Sequence, residues 1–285
     1  MAGFSQLRRR GRRLLAPVLF ALAALAALAV AHSASSSDAS QKRSSQALTC
    51  GQTVTTSVTL TTNLFNCPEN GLIVGASGIT IDLGGHIISG VPGSDVGVFV
   101  GTFNSVTVTN GTISGFGYGV RAFHPGRAMR VQSMRIGRNL RGIETSARAS
   151  VITGNAIFDN DSFGIFLSGA DAQVTSNTLQ ENSTGIGTSV QPNLLLSDNR
   201  VLSSGGSGVS VLSGGATIRN NVANGNGMFG ISVSVTASQP ARLRNNKAFF
   251  NTELGIDASP GTIDLSGNKA GANGDMHQCA NIVCS

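Results

Sequence analysis

The sequence predicts an all-β solenoid, one chain wound into about nine or ten stacked rungs of about 22 residues. Three observations predict it. The first is a set of residue series that share one register. Glycines ahead of short apolar runs (Gly119, Gly142, Gly164, Gly185, Gly208, Gly230, Gly255) are spaced 23, 22, 21, 23, 22 and 25 residues apart. Asparagines after apolar runs (Asn155, Asn177, Asn199, Asn221, Asn246, Asn268) are spaced 22, 22, 22, 25 and 22. Five residues further on, Asn160, Asn182, Ser204, Asn226, Asn251 and Asn273 keep the same spacing. The second observation is alternation between these landmarks, as in Ile165-Phe166-Leu167, Val209-Ser210-Val211 and Ile231-Ser232-Val233. Such period-2 runs of three to five residues are short strands. The third is composition: 37 Gly, 7 Pro, one Tyr, no Trp and 12% charged residues. Low charge excludes a long coiled coil or an acidic disordered tail. Glycine without a three-residue period excludes collagen.

The chain opens with Arg8, Arg9, Arg10, Arg12 and Arg13, then an Ala- and Leu-rich run from Leu14 to Val30, then Ala29-Val30-Ala31. A basic start, a short apolar core and a small-residue exit predict a secretory signal peptide over residues 1–31. The alternative is an uncleaved anchor, since the run is near the lower length limit for a span. Arg12-Arg13 leaves twin-arginine export open. Cleavage would remove five basic residues and leave fifteen against fourteen acidic, so the formal +6 falls to +1. Bulk charge therefore makes no case for nucleic acid, and a membrane is a partner only if the signal stays uncleaved. Residues 32–47 are small and polar and predict a disordered leader.

From residue 48 to 285 the sequence predicts one solenoid domain, because stacked repeats share a continuous core. Val58-Thr59-Leu60, Ile79-Thr80-Ile81 and Val106-Thr107-Val108 read as early rung strands with a poorer period. Rungs stack about 4.8 Å apart, so ten would make a rod on the order of 45 Å long. Asn repeated at a corner bonds through its amide to the next rung and tolerates left-handed backbone. The glycine series is expected to supply the other turns. About 22 residues per rung, irregular turns and Asn at a fixed corner resemble a single-stranded right-handed parallel β-helix. Solenoid ends need covers, and the four Cys fall there. Pairs Cys50–Cys67 and Cys279–Cys284 are expected, since a ten-rung rod holds its ends apart. The alternative is metal binding by Met276, His277 and Cys279 with Cys284.

The stretch Cys50-Gly51 … Cys67-Pro68 … Gly71-Leu72-Ile73-Val74-Gly75-Ala76, followed by Ile79-Thr80-Ile81-Asp82-Leu83-Gly84-Gly85-His86-Ile87-Ile88-Ser89-Gly90, resembles the opening of a group of secreted bacterial right-handed β-helix repeat proteins. These are described as NosD-like or periplasmic-copper-binding-like. Gly267-Asn268 … Asn273-Gly274 … Gln278-Cys279-Ala280-Asn281-Ile282-Val283-Cys284 resembles the group's C-terminal closure. The resemblance implies the fold and a secreted or cell-envelope location but no one reaction, since lyases, epimerases and hydrolases use similar β-helices.

Motifs with chemistry are scarce. The sequence has no P-loop, dinucleotide fingerprint, nucleophile elbow, HExxH or CxxC. His32, His86, His124 and His277 are far apart, and Met129 and Met134 read as filler. No copper site, other metal or cofactor is therefore expected. One patch stands out. The outward position two after each landmark glycine reads Arg121, Glu144, Phe166, Gly187, Ser210, Ser232, Asp257. Seven arginines lie between 121 and 148 (Arg121, Arg127, Arg130, Arg135, Arg138, Arg141, Arg148), with Glu144 the one acid opposing them. Asp159, Asp161 and Asp171 fall at turns in other columns. Arginine forks suit the carboxylates of an anionic cell-surface polysaccharide, so Arg121 and Arg141 are candidate binding residues. His124, Glu144 and Arg121 are the candidate catalytic set. Against a sugar groove stand the absence of Trp and the single Tyr118, with the eleven mature Phe expected in core stacks. The leading reading is an exported, non-catalytic, monomeric scaffold or binding protein. The alternatives are a polyuronate lyase or epimerase acting near residues 121–148, and a metal-handling accessory protein.

Overall fold

The computed structural model describes residues 44–189, 192–236 and 238–285. The expected signal peptide and the leader up to residue 43 lie outside them. The described chain is a solenoid of about ten turns. Each regular turn has three sides, seen in the turn Val151–Thr153, Ala156–Phe158, Phe163–Leu167. Strands of the first two sides form one 19-stranded sheet, and those of the third an 11-stranded sheet. Strands Thr107–Ser114 and Arg130–Gly137 run through the corner between the first two sides and join them. Pairing is parallel and in register, so Val131, Ile152, Val174, Leu196, Ile218 and Leu243 form one vertical file. All six are fully buried. A parallel stack sets equivalent positions on top of each other, so this inward column is apolar on every one of these rungs. Each such side chain contributes about 1.5–3 kcal/mol on burial.

Two asparagine files hold two of the corners. Asn199 accepts from Asn177 N and Nδ2 through Oδ1 (3.1 and 3.0 Å), and its Nδ2 donates to Val174 O (2.8 Å) and Asn221 Oδ1 (3.0 Å). The pattern runs along Asn155, Asn177, Asn199, Asn221, Asn246 and Asn268, each 2% exposed or less. The second file starts at Asn139 and runs through Asn160 and Asn182; Ser204 interrupts it, and Asn226, Asn251 and Asn273 continue it. The left-handed residue expected at the ladder Asn is instead the one before it: Ser176, Asp198, Asn220 and Asn245 have φ of 58°, 60°, 57° and 54°. That turn lets the Asn itself point inward, where its amide replaces the backbone partners lost at the corner.

The glycine series also differs from expectation. Gly119, Gly142, Gly164 and Gly185 sit within the third-side strands, Gly208, Gly230 and Gly255 in bends immediately before theirs, and all face the second Asn file. A Cβ on Gly230 would stand 2.5 Å from Gly255 O and 2.7 Å from Asn251 Nδ2. The column is glycine because the buried amides occupy the space. Ser44–Gln46, expected within the polar leader, is instead a strand that pairs with Val58–Leu60, so the sheet starts before residue 48. At the ends, Cys50 is bonded to Cys67 and Cys279 to Cys284. Both cysteine sulfurs of the Met276–Cys284 metal alternative are thus bonded to each other.

Candidate functional site

The outward surface of the third side carries the sequence's unusual patch. Strand Tyr118–Ala122 pairs with Arg141–Thr145, which pairs with Phe163–Leu167. Register places Phe99, Arg121, Glu144 and Phe166 in one file and Tyr118, Arg141 and Phe163 in another. Three rungs thus present Tyr118 and Arg121, then Arg141 and Glu144, then Phe163 and Phe166.

Glu144 is the centre. Its Oε1 accepts from Arg121 Nη2 at 3.2 Å, and its Oε2 accepts from Arg141 Nη1. Side-chain exposures are 14% for Glu144, 24% for Arg121 and 29% for Arg141. The guanidiniums also lie against rings. Arg121 is 3.8 Å from the Tyr118 centroid and 4.6 Å from that of Phe123, while Arg141 is 5.2 Å from Phe166 and 5.5 Å from Phe163. Phe163 and Phe166 touch at 4.9 Å, and Phe99 meets Phe123 edge-on at 5.8 Å. The surface is a plate of aromatic faces around a carboxylate held by two guanidiniums. Arg121 Nε is shielded from solvent and has no acceptor among the described residues.

The phenylalanines therefore do not form the expected core stacks. Phe116 is the one buried Phe among the described residues; Phe65 and Phe250 are exposed, and the rest are half-buried. The narrow interior of the three-sided rungs is filled by short aliphatic side chains, Ile152, Ile157, Ile165 and Leu167 in one turn, so rings move outward. The sequence signal was present: Tyr118, Arg141 and Phe163 are 23 and 22 residues apart, the rung period.

His124 is not brought into the plate. It lies exposed after the strand, its backbone N donates to Ser146 Oγ at 2.8 Å, and its ring has no hydrogen bond or ion pair among the described residues. Two acids expected in other columns do reach arginines. Arg148 Nη2 donates to Asp171 Oδ2 at 2.9 Å, and Arg138 lies 3.8 Å from Asp159. The Asn193 amide, first, and the Arg148 guanidinium hold the exposed Asp171 carboxyl below its usual range.

A family model for the right-handed β-helix region matches residues 49–189 and 149–270. The chain belongs to the right-handed β-helix family. This β-helix matches none of the curated proteins. It is similar to the A-module of the mannuronan C-5 epimerase AlgE6 of Azotobacter vinelandii, with 14% identity and a TM-score of 0.57, over 86% of this chain and 91% of that one. It is also similar to the Dettilon tailspike protein, with 15% identity and a TM-score of 0.51, over 82% of this chain. The β-helix spans 60% of the tailspike's length. At these identities the shared property is the fold.

Proposed function

We propose that this β-helix is an exported, non-catalytic scaffold of the NosD-like kind that binds an anionic cell-surface glycan on the plate around Glu144. The observation that carries the reading is the joining of Arg121 and Arg141 to Tyr118, Phe163 and Phe166 on one outward surface. Ring faces stack on sugar faces, and guanidinium forks offer donors to carboxylates. Binding is favoured over catalysis because both Glu144 oxygens already accept from arginine. The two disulfides support export, since such bonds persist in oxidising compartments. The same reading has residues 1–31 removed as a signal peptide and residues 32–43 as a polar leader.

A lyase or epimerase reading has the fold of the mannuronan C-5 epimerase module on its side. It would need the His124 ring within hydrogen-bond reach of the transferred proton.

The test incubates the chain with polygalacturonate, alginate and a neutral glucan, following both binding and unsaturated products. The binding reading expects salt-sensitive uronate binding, reduced at least tenfold in Arg121→Ala/Arg141→Ala with the strand-rich circular dichroism retained. Product formation that disappears in His124→Ala would replace it with the enzymatic reading. No binding to any glycan at low salt would overturn it.

A further inference from the structure

A second concentration of positive charge lies on the other two sides of the rod, toward its C-terminal end. Strand Arg242–Arg244 directs both arginines outward around buried Leu243. Register stacks Arg219 directly on Arg244. Across the Asn corner, Lys247 stacks directly on Lys269, with Arg200 two rungs earlier in the same file through Val222. All six cations are exposed. None makes a hydrogen bond through its side chain or an ion pair among the described residues.

The nearby acids are bonded elsewhere. Asp198 Oδ1 accepts from Asn220 Nδ2 at 3.0 Å. Asp264 accepts from Ser266 N, Asn268 Nδ2 and Val283 N. Like charges stacked on adjacent parallel strands oppose folding, and no ion pair among the described residues offsets them. An outside anion lying across them would offset that cost.

We infer that this strip is a second binding track, for a linear polyanionic glycan lying along the rod axis. The files run straight, and their charges recur at multiples of the rung step of about 4.8 Å, comparable to the length of one pyranose unit. A chain with a carboxylate or sulfate on successive sugars could meet Arg219 and Arg244, or Lys247 and Lys269, with consecutive groups. Nucleic acid is disfavoured by the near-neutral charge expected without residues 1–31 and by the disulfides. The track is independent of the Glu144 plate, which is on the third side.

The experiment compares the full chain with Arg219→Gln/Arg244→Gln/Lys247→Gln, and with Tyr118→Ala on the plate. Probes are polygalacturonate for carboxylate, dextran sulfate for sulfate, and a single-stranded oligonucleotide of matched charge. In low-salt isotherms the triple variant should lose one of two separable glycan-binding events, its affinity falling at least tenfold, whereas Tyr118→Ala should keep that event. Which glycan responds identifies the anion. The triple variant's thermal midpoint should stay level or rise, because repulsion has been removed. Unchanged glycan binding in the triple variant, oligonucleotide binding as tight as glycan binding, or a lowered midpoint would each overturn the track. If the plate reading fails but the track stands, binding survives in Tyr118→Ala and disappears in the triple variant.

Discussion

The arginines of residues 121–148 and the cations of residues 200–269 stand on one rod with one ladder of rungs, yet they are held in opposite ways. In the first region Arg121 and Arg141 close on Glu144 and lie against rings, while Arg138 and Arg148 face Asp159 and Asp171. In the second, Arg219 over Arg244 and Lys247 over Lys269 have no acid partner among the described residues. The difference teaches that positive residues in a solenoid sequence do not have one meaning. Their part in stability or recognition depends on what the register puts above and below them. A paired guanidinium contributes to the fold, whereas a stacked, unpaired one opposes it.

Three experiments test this contrast. The largest effect is expected at Asn199, beside Arg200 at the start of the second region. Asn199→Ala strips partners from Asn177, Val174 O and Asn221 in the buried ladder. The loss should be about 3 kcal/mol in urea unfolding, from several buried polar groups left short of a partner. If the rod is cooperative, both regions unfold in one transition. Two separated transitions would show that each region is a unit with its own stability.

A middle-sized effect separates the regions directly. Glu144→Ala leaves two half-buried guanidiniums unpaired and should lower unfolding free energy by about 1–2 kcal/mol, below the cost in a fully buried pair because water still screens it. Arg244→Ala should change it by less than about 0.5 kcal/mol, as at an ordinary surface site. Equal losses would erase the distinction.

The smallest effect concerns acid. The folded Asp171 carboxyl titrates below its ordinary value of 3.8. Its contribution is therefore present above that value and is lost as pH falls through the lower, folded one. Asp171→Asn should weaken the acid dependence of the thermal midpoint, by a small amount because the group is exposed. A wild-type acid dependence in the variant would remove Asp171 from the account of the first region.

Much of this is legible in the sequence. The Arg121–Glu144–Phe166 file follows from the period, because in-register parallel stacking turns a sequence interval of one rung into a vertical neighbour. The Tyr118–Arg141–Phe163 file follows the same period but is hidden by two successive inward residues, Gly119 and Val120, which break strict alternation. The Arg148–Asp171 pair was illegible because turn residues have no fixed direction in the pattern.

By itself, then, the sequence determined the rung, the asparagine corners, the local pairing of the cysteines and the inward aliphatic files. Each of these repeats or closes locally, and repetition with short-range closure can be read in one dimension. Tertiary structure alone decided that the phenylalanines face outward, that the glycines make room for buried amides, and that Arg219, Arg244, Lys247 and Lys269 gather across a corner. Those outcomes depend on the narrow three-sided cross-section and on the angle between neighbouring sides, and neither dimension is written in the period.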